Sequence, residues 1–232
     1  MTRIFGTIMA LATTAVLGSC SQGGGFSIQV KSSDCNNMTI KLIRETEQGL
    51  EVVDSAKIEM HRARLRGSVR CPEMMYIFVD KASDYLPIFV ENSQITVSLN
   101  YQKLGKSVVS GSESNKIFTD FIQSYSAYGD KASEHQKMSQ HANVLGDTLM
   151  IQDLEDDINN VMQESKDFQL QFVRKHIKHP IACYILATSL INELSYSEAL
   201  GILDSIPEQN RSLVHFARLH NIMKQKKNDQ RP

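Results

Sequence analysis

Residues 74–99 hold three dense apolar runs separated by two polar, turn-rich breaks, and this restricts the middle of the chain to the core of a β-domain. Met74, Met75, Tyr76, Ile77, Phe78 and Val79 form an unbroken run with aromatic and β-branched residues, the pattern of a strand covered on both faces. Ile95, Val97 and Leu99 alternate with Thr96 and Ser98, which turns one face of that strand to a core and the other to water. Pro87 is expected to open the strand between them at 86–90, because a residue without a backbone N–H is tolerated at a strand's first position.

Strict alternation at 26–31 and at 38–44, with a turn cluster at 32–37, reads as a first hairpin. Further strands at 50–58 and 63–69 and a short last one at 107–109 bring the total to about eight, which points to an antiparallel β-sandwich or an open barrel. After Gly111 the apolar period changes from two to about 3.6. Ile117, Phe118, Phe121, Ile122 and Tyr125 predict a short helix, and the polar stretch 127–146, with His135 and His141, a linker or frayed helix. Asp147 can cap a long helix whose seam is Ile151, Leu154, Ile158, Val161, Phe168 and Phe172; this seam is expected to face the chain's own helices rather than a second chain. Pro180 ends it, residues 181–191 suit a buried helix, Ser195 and Glu198 have capping-box spacing, and Leu213, Phe216, Leu219, Ile222 and Met223 form a last stripe. The fold class is therefore α+β: a β-domain at 26–111, a helical region at 112–227 and a polar tail at 228–232.

The first residues have a different purpose. Arg3 precedes an apolar stretch at 4–16, and Leu17, Gly18 and Ser19 lead directly to Cys20. This resembles a bacterial lipoprotein signal, which implies cleavage after residue 19, diacylglycerol on the Cys20 sulfur, a tether at 20–25 and attachment to the inner or outer membrane of the cell envelope, facing the periplasm or the cell surface. The apolar stretch is short for a transmembrane span, which needs about 20 residues. A net charge of -1 with 22% charged residues argues against a nucleic-acid or anionic-membrane partner read by charge, so no charge-driven partner is implied.

Val53, Asp54, Ser55 and Ala56, then Leu65, Arg66 and Gly67, Pro72, Glu73 and Met74, Phe89, Val90, Glu91 and Asn92, and Val109, Ser110, Gly111 and Ser112 resemble, in order, the landmarks of a domain of unknown function. That domain precedes the thioredoxin-like domain in lipid-anchored thiol-disulfide oxidoreductases of the AhpC/TSA and TlpA type. The family usually has glycine at the positions of His61 and Ser93, so those turns need positive-φ residues of another kind or a different turn. The resemblance implies a Cys-x-x-Cys domain after the helices, and residues up to Pro232 contain no such pair. The expected role is a non-catalytic binding or scaffold module, without cofactor or metal.

Two alternatives stay open. A redox-linked accessory would present Cys35 or Cys71 to a separate thioredoxin-like partner, and a lipoprotein of this kind could instead hold a sugar or peptide on its sheet. Cys35 and Cys71 are the two thiols that an oxidising envelope could join, against a loop-exposed Cys35 with a buried Cys71; Cys183 reads as a small core residue. His176 and His179 read as a solvated helix end, His215 and His220 as surface residues. Asp54-Ser55-Ala56, Asp147-Thr148-Leu149 and Asp204-Ser205-Ile206 resemble the acceptor pattern of periplasmic O-glycosylation, with Thr148 the best candidate.

Overall fold

The computed structural model describes residues 24–229. The leader, Cys20 and the last three residues lie outside the described residues. Eight strands form two four-stranded sheets, an open sandwich and not a closed barrel, and five α-helices follow. Sheet A has the order β4 (Arg62–Gly67), β1 (Phe26–Ser32), β7 (Gln94–Leu99), β8 (Val108–Ser110); sheet B has β3 (Gly49–Lys57), β2 (Thr39–Thr46), β5 (Glu73–Val79), β6 (Tyr85–Val90).

Two sequence expectations about pairing are corrected. β1 and β2 are not a hairpin but lie in different sheets, and β1 runs parallel to β7, with Ile28 beside Ile95 and Val30 beside Val97. Period-two alternation fixes which side chains face inward but not which strand lies alongside. The hairpins are β2–β3, β5–β6 and β7–β8. Pro87 is the third residue of β6, tolerated because β6 is an edge strand.

The unbroken run in β5 is used on both faces. Met75, Ile77 and Val79 join Ile28, Ile40, Leu42, Ile88 and Ile95 in the core between the sheets, whereas Met74 and Tyr76 face a second core with the helices. The layers are sheet A, sheet B and helices, so the outer face of sheet A is the side left to solvent: Lys31 and Ser98 on it are exposed.

Residues 127–145 are helix, the second of the two forms expected there, and not a linker. They continue α1, which runs over Glu113–Leu145 and by its residue count is about 50 Å long. A left-handed Gly146 ends it, and Asp147, accepting from the Met150 N–H, caps α2 (Thr148–Lys175). The pair is an antiparallel hairpin closed by the expected intramolecular seam: Phe121 lies 4.7 Å from Phe172 and 5.7 Å from Phe168 between ring centroids. The interruption expected of a polar stretch fails because Ala132, Ser139 and Ala142, all small, let the two helices stay close.

Pro180 begins α3 (Pro180–Ile185), which widens into a π-like turn at Leu186–Leu190, and the apolar side chains of both lie in the second core. The capping box of Ser195 and Glu198 starts α4 (Tyr196–Asp204), and α5 (Val214–Asp229) closes the layer. No helix of the described residues is long and apolar enough to cross a membrane.

Candidate functional site

Sheet B and the helical layer are joined by polar clamps. Asn115, buried in the first turn of α1, accepts from the Phe89 N–H at 2.9 Å and donates to the Phe89 carbonyl at 2.6 Å, closing the free edge of β6 as a neighbouring strand would. Within the sandwich, Asn92 holds the β4–β5 connection in the same way, accepting the Val69 N–H at 2.9 Å and donating to its carbonyl at 2.7 Å. Gly111 turns the chain from β8 into α1 at φ 92°, where a Cβ would also collide with the Gln94 carbonyl. The two turns flagged by missing glycines differ. Met60 and His61 both take positive φ, and Ser93 uses a tighter bond from its N–H to the Glu91 carbonyl.

Beside these clamps a Ser, a His and a Glu meet. Ser114 donates its hydroxyl proton to Glu91, and its Oγ lies 3.1 Å from His179 Nε2. His179 is not a solvated helix end: as N-cap of α3 it accepts the Ile181 N–H on Nδ1 at 3.1 Å, so the neutral ring carries its proton on Nε2 and donates it to Ser114. A nucleophilic serine needs an imidazole that accepts its proton. Here the bonds run the other way, Ser114 has no exposed surface, and burial holds the His179 pKa below its usual value. The cluster is a lock between α1, the end of β6 and α3.

A cleft of about 540 Å³ opens between sheet B and the start of α5. Its lining includes Arg44 and Glu45 from β2, Cys71 and Glu73 around the start of β5, and Leu213 and His215. Arg44 Nη2 lies 2.9 Å from a Glu73 carboxylate oxygen, and Arg218 of α5 pairs with Glu45. Burial raises the Glu73 pKa, only partly opposed by Arg44. His215, expected at the surface, is 5% exposed, and its Nδ1 has no partner among the described residues. Burial brings its pKa down to about 4, with Arg218 adding to the shift, so the ring is neutral. The apolar stripe of α5 hides this, since His215 lies between Leu213 and Phe216 and is pulled inward with them onto Tyr184.

The three described cysteines are free thiols. Cys35 is buried in the sandwich core, neither loop-exposed nor near Cys71, which packs on the helical core beyond sheet B. Burial raises each pKa: Asp34 adds to the effect at Cys35, Glu73 at Cys71, and Cys183 is pushed up to about 12. None is poised as a thiolate. Thr148, first residue of α2, is exposed at the far tip of the hairpin. There Val144, Leu145 and Leu149 are 83%, 68% and 77% exposed. Residues 127–164 hold eight acidic and two basic residues, net -6, against -1 for the whole chain. His135 is half-buried between the helices, its Nδ1 3.9 Å from an Asp157 oxygen.

Residues 26–118 match the family described as a domain of unknown function, DUF4369. The match ends at Phe118, beyond the last strand, and so takes in Gly111, Ser112, Ser114 and Asn115, the residues that fasten α1 to the sandwich. No curated protein and no solved structure matches the chain.

Proposed function

We propose that the chain is a cell-envelope lipoprotein, lipidated on Cys20, whose mature part is a non-catalytic binding or scaffold module. It is the counterpart of the domain that precedes the thioredoxin-like domain in AhpC/TSA- and TlpA-type oxidoreductases. The observation that carries this reading is the helical hairpin: its distal half puts three large apolar side chains and a charge of -6 into solvent while burying little, which fits a partner-contacting arm better than a core element. The raised pKa of every described thiol weighs against the redox-accessory alternative. A second reading, capture of a small polar ligand such as a sugar or peptide end, rests on the cleft and on the unpartnered His215 Nδ1.

Photo-crosslinking in envelopes separates the two. Probes at Leu145 and Leu149 should give discrete protein adducts and a probe at Arg70, in the cleft, should give none; the reverse pattern makes the cleft the site. Cys20→Ala should leave an uncleaved precursor, and a chain still cut at that position is not a lipoprotein. Insulin reduction by the mature chain should not exceed that of free thiol.

A further inference from the structure

We infer that the outer face of sheet A is a membrane-contact surface that lies on anionic phospholipid headgroups. This rests on the Cys20 anchor proposed above. Three arginines, Arg62, Arg64 and Arg66, stand at alternate positions of β4 while Ala63 and Leu65 point inward, so their side chains share the outer face. Lys31 lies directly across from Arg62 on β1. All four are exposed, and among the described residues none forms an ion pair. The neighbouring outward positions on β1 and β7, Gln29 and Thr96, are uncharged. Asp54 at the corner accepts the Arg66 backbone N–H at 2.7 Å and leaves the guanidinium free.

Position decides what this ladder meets. Gly25 packs against the Gly67 carbonyl, so the chain before β1 leaves the sheet at the Arg66 end of the ladder. From Phe26 back to Cys20 a fully extended chain spans at most about 20 Å, and from Arg66 to Arg62 along β4 is about 13 Å. A lipid on Cys20 therefore holds the whole ladder within reach of the headgroups. Surface potentials act only over about 8 Å at physiological salt, so contact and not mere proximity is required, and the tether supplies it at high effective concentration. The helices occupy the opposite side of the sandwich, with α1 rooted at β6 and β8, the far edge from β4. The acidic distal hairpin is thus rooted away from the face that meets the lipid. A net charge of -1 hides this separation of four cations from the -6 arm.

The test uses the chain from Gly24, which contains both cores entire and no lipid, with vesicles at millimolar lipid. Expected is sedimentation with vesicles of one third phosphatidylglycerol, none with phosphatidylcholine alone, and release by 0.5 M salt. Each cation near such a surface is worth about a factor of five, so Arg62→Glu, Arg64→Glu and Arg66→Glu together should cut partitioning by about a hundredfold or more. The three Arg→Lys changes should preserve it and report on folding. Equal binding to neutral vesicles, or binding that survives the charge reversal, overturns the inference. So does displacement from the vesicles by free inorganic phosphate at low millimolar concentration, which would mark a discrete anion pocket. Binding of the Gly24 chain to anionic vesicles, together with a full-length chain that is not cut before Cys20 in cells, would leave this face intact and refute the anchor alone.

Discussion

The two ends of the helical hairpin have the same amphipathic period and opposite surroundings. At the root, Phe121 is stacked on Tyr125 and Phe168 and tilted on Phe172, and Asn115 ties the helix to β6. In the distal half the buried residues are Ala142, Leu154 and Val161, while Val144, Leu145 and Leu149 stand in water. An apolar stripe that is covered at its root and bare at its tip shows that a periodic pattern specifies a helix without specifying what covers it. The root carries the architecture; the outer turns add area that the fold does not need.

Four measurements would break or sharpen that contrast. Phe121→Ala at the root should lower the unfolding free energy by about 3 to 5 kcal/mol, read as a concentration-independent fall in the denaturant midpoint. Asn115→Ala strands both Phe89 backbone groups beneath the helix and should cost about 2 to 4 kcal/mol.

The third is pH. A histidine whose folded pKa is lowered binds its proton only in the unfolded chain, so stability is full above about pH 6.5 and is lost as pH falls towards 4. His215 should account for up to about 3 kcal/mol of that loss. Glu73, raised by burial, acts in the opposite sense, losing its contribution as pH rises, so the comparison is between the parent and His215→Gln and not with the absolute curve. A variant as acid-sensitive as the parent would show that His215 charges freely. Leu149→Ala at the tip is the smallest effect, within about 0.5 kcal/mol. A loss like that of Phe121→Ala would mean that the tip is packed rather than presented.

Alternation and period change were enough to place the strands, the caps at Asp147 and Ser195 and the apolar seam of α2, because each depends on residues close in sequence, but left a sandwich and an open barrel as alternatives. What they could not supply depends on distant neighbours. The parallel β1–β7 pair, the separation of β1 from β2 and the inward turn of His215 are set by which surfaces meet, as is the contact of His179 with Ser114. The extension of α1 through 127–146 was masked by its polarity, since a helix lying against one partner needs only a narrow stripe of small residues. Thr148 kept its exposed place, and Cys35 and Cys71 parted because sheet B lies between the cores they occupy.

β1 also sets an order of events. Of the described strands it is the first to leave the ribosome and any export channel, yet both of its partners come later, β4 at 62–67 and β7 at 94–99. A parallel pair between strands so far apart in sequence closes a long loop before any bond rewards it. Sheet B, built from the local hairpins β2–β3 and β5–β6, can assemble first and offer Ile77 and Ile88 as a template, leaving β1 to dock last. Pulse-labelled hydrogen exchange should therefore find the Ile28 and Val30 amides protected after those of Ile40 and Ile77. Under the lipidation proposed for Cys20, the chain would pass through an interval in which its anchor is already inserted and its first strand is still unpaired.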